Sequence, residues 1–264
     1  MTVLAPVLRT VGRFYSILVL LALYELINAL GLVSRRLIPS LALIADQLWK
    51  YLANGELLYH AGISLYRASL GFALALVAGV VVGTAMARSR WIEGLFDPLF
   101  TFGYPIPKIA FYPAFIFVFG LGTESKVALV FLECIYPIAI HTYAGMRSAD
   151  RVLVWAARNM GASRYQTFMR VLVPAALPTM FTGLRIALPV ALIITIVTEI
   201  IGESQGLGFF VTFASASFEY ARALAAFVVI GAIGFGLDRA LVFVRDRVVF
   251  WQKAAPAISG KGIA

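Results

Sequence analysis

Lys108, Glu133 and Glu199 stand within long apolar runs, where an ionisable side chain is costly unless it is paired or wetted. Such residues are the first candidates for guiding a solute or an ion through a membrane. Lys108 follows Pro105 and Pro107 in YPIPK, so it sits where the backbone has lost two donors. It either helps an anionic solute along a pathway, reaches an interface, or pairs with an acid. Glu133 lies deeper in its run and suits a paired acid. Glu199 lies near the end of its run, where exposure at the membrane surface would account for it. Glu25 reads as a packing or peripheral residue. Arg185 is placed about 9 Å into its span by helical rise and can snorkel. Asp238 and Arg239 are neighbours near the inner surface and can satisfy each other. Covalent chemistry is not indicated, because no nucleophile and base occur with a third orienting group. His60 and His141 lack the clustered Cys, His or Asp of a metal site, and the single cysteine, Cys134, lies in an apolar run. No GxxxxGK[ST] phosphate loop occurs, so ATP hydrolysis is expected to be supplied in trans.

The elements that must position these groups are membrane helices. The chain is 61% hydrophobic and 13% charged, against about a quarter charged in an average soluble domain. Mean hydropathy is +0.91. Several windows reach the ~20 apolar residues that a helix needs to cross a bilayer, and the short alternating segments of a barrel are missing. The expected class is an all-α, multi-pass membrane protein with spans near 14–33, 67–87, 96–120, 126–147, 179–202 and 223–245. Of the 22 Lys and Arg residues, 13 fall in segments that are cytoplasmic if both termini are inside, and six fall outside; this bias sets the orientation. It also explains the net charge of +9 without nucleic acid. Residues 1–13 are then a cytoplasmic N-terminus, 14–250 the transmembrane domain, and 251–264 a small, polar, disordered cytoplasmic tail. FYSILVLLALYELINALGLV is too long for a signal-peptide core and reads as a retained first span. Gly79 and Gly83 form a GxxxG pair suited to close packing within one bundle. Leu41, Ile44, Leu48, Tyr51 and Leu52 predict an amphipathic helix on the outer face. Pro105, Pro107 and Pro113 make the third span irregular, and such backbone is tolerated where it lines a cavity.

One polar stretch interrupts the apolar pattern: AARNMGASRYQTFMRVLVPAALP, residues 156–178. Ala156 and Ala157 favour helix. Gly161 can close that helix in the left-handed conformation. Ser163 with Gln166 three residues on forms a capping box for a second helix. Tyr165, Phe168 and Leu172 fall on one face, with Arg164 and Arg170 off it. Pro174 is expected to break the helix and Pro178 to open the next span. Two short helices joined by a glycine elbow are either a docking surface or an ordinary ordered loop.

This stretch resembles the EAA loop of binding-protein-dependent ABC importer permeases, roughly Glu-Ala-Ala, three residues, Gly-Ala-Ser, and later Leu-Pro. Ala156, Ala157, Gly161, Ala162, Ser163, Phe168, Pro174, Leu177 and Pro178 match it, while Trp155 stands where the family has its glutamate and Asp150 is the nearest upstream acid. LIPS, NGELLYHAGISLYRASLGFALA, DPLFTFGYPIPKIAFYPAFIFVFG and PTMFTGLRIALPVA resemble the branch that carries nitrate, taurine and aliphatic sulfonates. The resemblance implies the type I permease fold in the bacterial inner membrane, with residues 150–178, Arg164 among them, coupling to an ATPase. It implies a pair of permease chains, two copies of this one. It also implies two ATPase subunits carrying ATP and Mg, and a periplasmic or lipid-anchored solute-binding protein. The permease itself would bind no cofactor. A related branch moves aromatic acids or vitamin precursors. The rival reading is an ion-coupled secondary transporter, whose hallmark would be an internal repeat of spans; only one Gly-Ala-Ser elbow occurs.

Overall fold

The computed structural model describes residues 4–31, 34 and 37–251. The proposed tail beyond Trp251, and Arg35 and Arg36 of the first loop, lie outside the described residues. Every regular element among the described residues is helical: α1 (Leu4–Ala29), α2 (Leu41–Ala53), α3 (Glu56–Arg88), α4 (Arg90–Gly103), α5 (Tyr112–Phe119), α6 (Thr123–Arg147), α7 (Arg151–Asn159), α8 (Arg164–Thr167), α9 (Val173–Ile200), α10 (Leu207–Ala216) and α11 (Tyr220–Val248). A 3-10 turn, Lys108–Phe111, precedes α5, and a wide π turn, Phe168–Leu172, joins α8 to α9.

Four stretches are long and apolar enough to cross a bilayer: Glu56–Arg88, Thr123–Arg147, Arg164–Ile200 and Tyr220–Val248. The pair α4 and α5 makes a fifth if counted as one span, but its arms meet at 94°. The apolar part of α1, Tyr15–Ala29, is shorter.

The centre of the bundle is α6, with α3 on one side and α9 on the other. Small residues set these approaches. Gly79 faces Ile138, and Gly83 faces the backbone of Ala139 and the side chain of Thr142, with no room for a Cβ at either. The GxxxG pair therefore packs within the bundle, as expected. Tyr112, Leu129, Val130, Ile138, Ala187 and Ala191 fill the core around it. A second core at the end away from α7 joins Leu57, Leu192, Ile196, Leu207 and Phe210. The amphipathic α2 is present, capped by Ser40, and it buries Ile44 and Tyr51 against the bundle rather than lying free on a membrane surface.

The third span is irregular, as expected: neither Pro105 nor Pro107 can donate a backbone hydrogen bond, and the chain turns sharply between α4 and α5. Other expectations need correction. The second span starts at Glu56, not near Arg67, because Arg67 is buried among acids that neutralise it. Pro174 does not break the helix, nor does Pro178 open one: residues 164–200 form one helical rod. The π turn just before Pro174 already changes the hydrogen-bond ladder there. That turn also shifts the helix face, so Tyr165 is exposed while Thr167 is buried and Phe168 half-buried. Finally, α10 was not foreseen between the last two spans.

Candidate functional site

The elbow is built from local hydrogen bonds. Asp150 caps α7, its carboxylate accepting from Val152 N at 2.8 Å. At the other end Gly161 has φ +84°. Its N–H donates to the Arg158 carbonyl, and Ala162 N donates to the Ala157 carbonyl, each at 3.0 Å. This pair of bonds is the Schellman closure, which places a left-handed residue at the glycine. Ser163 then caps α8. Its Oγ accepts from Gln166 N at 3.2 Å, while its own N–H donates to Gln166 Oε1 at 2.8 Å. The predicted capping box is present. Ala157 is buried, whereas Ala156, Ser163 and Arg164 are exposed and Ala162 is half-buried. The guanidinium of Arg88, at the end of α3, lies 4.7 Å from the Phe168 ring centroid and ties the elbow to the central bundle. Beside the elbow are two hollows. One, of about 380 Å³, lies between Met160, Gly161 and Arg170. The other, of about 450 Å³, lies between Ala156, Pro174 and Trp251. Trp155 is 62% exposed, and Val152, Leu153, Met160 and Tyr165 are exposed with it. The elbow thus offers a surface that mixes exposed apolar side chains with the exposed Arg151, Arg158, Arg164 and Arg170, and its nearest acid is occupied by capping.

Inside the bundle, Lys108 is buried. Its Nζ donates to the Tyr104 carbonyl at 2.9 Å and lies 4.2 Å from the Tyr136 ring centroid. Pro105 and Pro107 form the exposed corner beside it. Glu133, half-buried on α6, is electrostatically coupled to Lys108, and its Oε2 is buried with no hydrogen-bond partner among the described residues.

Glu199 is not at an exposed interface. It is fully buried and accepts from Ser64 Oγ at 2.7 Å, Arg67 Nη1 at 2.9 Å and Gly208 N at 3.1 Å. Arg67 also reaches the Gln205 carbonyl, Thr123 and Glu203. Lys126, likewise buried, pairs with Glu203 at 2.5 Å and donates to the Leu121 and Gly122 carbonyls. His60 Nδ1 accepts from Gly206 N at 3.0 Å. A side chain on Gly206, whose φ is +106°, would overlap the Glu199 carboxylate. Two cations and two carboxylates therefore lock α3, α6, α9 and the entry to α10 together. Burial alone would raise the Glu203 pKa, but hydrogen bonds from Lys126 and Ser204 N, with the charges of Lys126 and Arg67, hold it below the ordinary carboxylate value.

Residues 75–249 match the family described as the binding-protein-dependent transport system inner membrane component. The chain belongs to this family. It is a multi-pass inner-membrane permease subunit of an ABC importer, a class that works with a separate ATPase and a solute-binding protein. The permease is 32% identical to the taurine transport system permease protein TauC of Escherichia coli (strain K12) over 242 residues, covering 90% of this chain and 88% of that one. It is 30% identical over 236 residues to a protein of Bacillus subtilis (strain 168) assigned as the aliphatic sulfonates transport permease SsuC, covering 89% of this chain and 86% of that one. A solved amino acid ABC transporter shares the fold, with TM-score 0.60 at 16% identity, over 77% of the permease and 98% of that chain.

Arg67 and Lys126 stand at the starts of the expected second and fourth spans and count with the outer segments, so their place in the Glu199 cluster was missed. Arg185 and Asp238 were read separately, yet they form one ion pair, Nε to Oδ1 at 2.8 Å. Glu25 accepts from Leu41 N and fastens α1 to α2. Among the described residues no group of three or more His, Cys, Asp or Glu could hold a metal ion.

Proposed function

We propose that the permease works as a pair of identical chains that carries a small solute bearing an oxyanion group, an anion such as a sulfonate or nitrate or the zwitterion taurine, handed over by the solute-binding protein. Six spans cross the membrane: α1, α3, the bent α4–α5 pair, α6, α9 and α11. Both termini, residues 1–13 and 251–264, are cytoplasmic. Two ATPase subunits bind ATP and Mg and dock on the elbow through Ala156, Ala157, Gly161, Ala162, Ser163, Arg164 and Phe168. Pro174 and Pro178 belong to the helix start that carries this surface into the membrane. The chain performs no bond chemistry. Lys108, Glu133 and the Pro105–Pro107 corner border the pathway, and Glu199 braces its far end.

The observation that carries this reading is the elbow: a Schellman closure at Gly161 followed at once by a capping box at Ser163. Its sequence matches the coupling pattern, and its exposed face joins apolar side chains to Arg158, Arg164 and Arg170. The names of the taurine and aliphatic sulfonate relatives support the anionic cargo.

Purification from the native membrane in mild detergent, followed by mass spectrometry, tests the assembly. A stoichiometric ATPase with a Walker motif is expected. A chain that emerges alone and drives uptake in liposomes without ATP overturns the reading. ATP-driven uptake of taurine or an alkanesulfonate tests the cargo; uptake of only an uncharged vitamin precursor would refute it.

A further inference from the structure

Where α9 passes α11, the side chains of Arg185 and Arg239 are exposed and that of Asp238 is partly so. Arg185 on α9 meets Asp238 on α11 through two hydrogen bonds, Nε to Oδ1 at 2.8 Å and Nη2 to Oδ2 at 3.3 Å. Arg239 Nη2 reaches Asp238 Oδ2 at 3.2 Å. Two guanidiniums share one carboxylate, which leaves one positive charge in excess. The side chains of Arg185 and Arg239 are 52% and 59% exposed.

Their depth makes that exposure informative. Asp238 lies seven residues before Arg245, about 10 Å along the helix axis, and Arg245, Asp246 and Arg247 mark the end of α11. A carboxylate on so short a side chain cannot climb to the surface. Arg185 could snorkel alone, but its guanidinium is held at the level of Asp238. Two exposed guanidiniums around a partly exposed carboxylate at this depth are expensive against lipid and normally face a wet interior. The exposed stripe of α9 agrees: Thr182, Arg185 and Pro189 lie on it with Ile186 and Ile193. Pro189 has no N–H, so the Arg185 carbonyl loses its partner within the helix. The exposed stripe of α3 is wholly apolar by contrast: Leu70, Leu74, Val77 and Val81.

We propose that the face bearing Arg185, Asp238 and Arg239 lines the aqueous translocation path, and that its excess positive charge is a transient station for the oxyanion group of the cargo. This rests on the proposed anionic cargo. The same chemistry would suit a lipid phosphate, but a lipid-facing site would be closed to a water-borne reagent.

The test uses thiol labelling. Cys134 is buried and provides an unreactive background. Thr182→Cys, three residues before Arg185, is examined in the complex with its ATPase in inverted membrane vesicles. Anionic and cationic membrane-impermeant methanethiosulfonates of similar size are the probes. Labelling is expected about fivefold faster with the anionic reagent; R239Q, which leaves the balanced Arg185–Asp238 pair, should erase that preference, and R185Q with R239Q should reverse it. Val77→Cys, on the apolar stripe, should stay unreactive. Labelling of Thr182→Cys as slow as Val77→Cys would place this face against lipid and overturn the proposal. Equal rates with both reagents would mean a wet face with no anion station, which also overturns it. Sulfonate uptake by the unaltered complex is measured separately. If uptake persists when labelling fails, only this inference falls; if no anion is taken up, the cargo reading falls and takes this inference with it.

Discussion

At the end of the bundle away from the elbow, Arg67, Lys126, Glu199 and Glu203 are closed off and balanced, two positive against two negative. Part-way along α9 and α11, Arg185 and Arg239 are open around the partly exposed Asp238, and the group is unbalanced. The residue types are nearly the same, and burial separates their tasks. A buried charge must have every lone pair and proton engaged, so the first group is surrounded by Ser64, Thr123 and five backbone partners. Such a cluster fixes geometry. An open group leaves its guanidiniums facing whatever passes. The lesson is that an ionisable residue in an apolar span is a functional candidate only after its partners are known.

The contrast can be broken first at Glu199. Glu199→Ala leaves buried Arg67 and Lys126 sharing the single carboxylate of Glu203 and should cost about 3–5 kcal/mol, seen as a large fall in the thermal unfolding temperature in detergent. Replacing both members, Arg67→Met with Glu199→Met, should cost less than either single change. If Glu199→Ala unfolds like the parent, the cluster is not a brace. Gly161→Val comes next. It places a β-branched residue at φ +84° and should cost about 1–3 kcal/mol locally. Membrane insertion should survive while co-purified ATPase drops sharply; undiminished ATPase recovery would count against the elbow. Acid titration sharpens the comparison further. Glu203 has its pKa depressed in the folded state, so its stabilising contribution is full above the unfolded value of about 4.3. That contribution fades as pH falls through the lower folded value. The unfolding temperature of the parent should fall over this acid range, and Glu203→Gln should flatten that part of the curve. The smallest effect is expected from Trp155→Glu, an exposed change that should shift stability by no more than about 0.5 kcal/mol. It restores the family residue. Retained ATPase binding means the partner still accepts the acid, and lost binding means it grips the indole.

The elbow was legible because its determinants are local. Gly161, Ser163 and Gln166 act within six residues, and each conformation follows from one residue type. The GxxxG packing and α2 were legible for the same reason, through spacing on one helix. The cluster at Glu199 was not, because Arg67 and Glu199 are 132 residues apart and no periodicity links them. Each looked like a charge at the edge of its run. The Arg185–Asp238 pair failed likewise, across 53 residues. Prolines were read correctly in one place and not in another: the third span bends at Pro105 and Pro107 as expected, while Pro174 was absorbed beside the π turn without a break. Helix α10 escaped because its ten residues are too few to read as a span and too apolar to read as a loop.

The unbroken helical rod from Arg164 to Ile200 is about 55 Å long at ordinary helical rise. It begins in the capping box and ends beside Glu199. On the proposed docking, one lever therefore has its handle in the ATPase and its tip in the clamp on the opposite side of the membrane. Arg185 sits between the two, on the shaft. If both proposals hold, a twist applied at the handle would reach the clamp and swing the Arg185 station on the way, so that ATPase contact, brace and cargo contact would share one continuous helix.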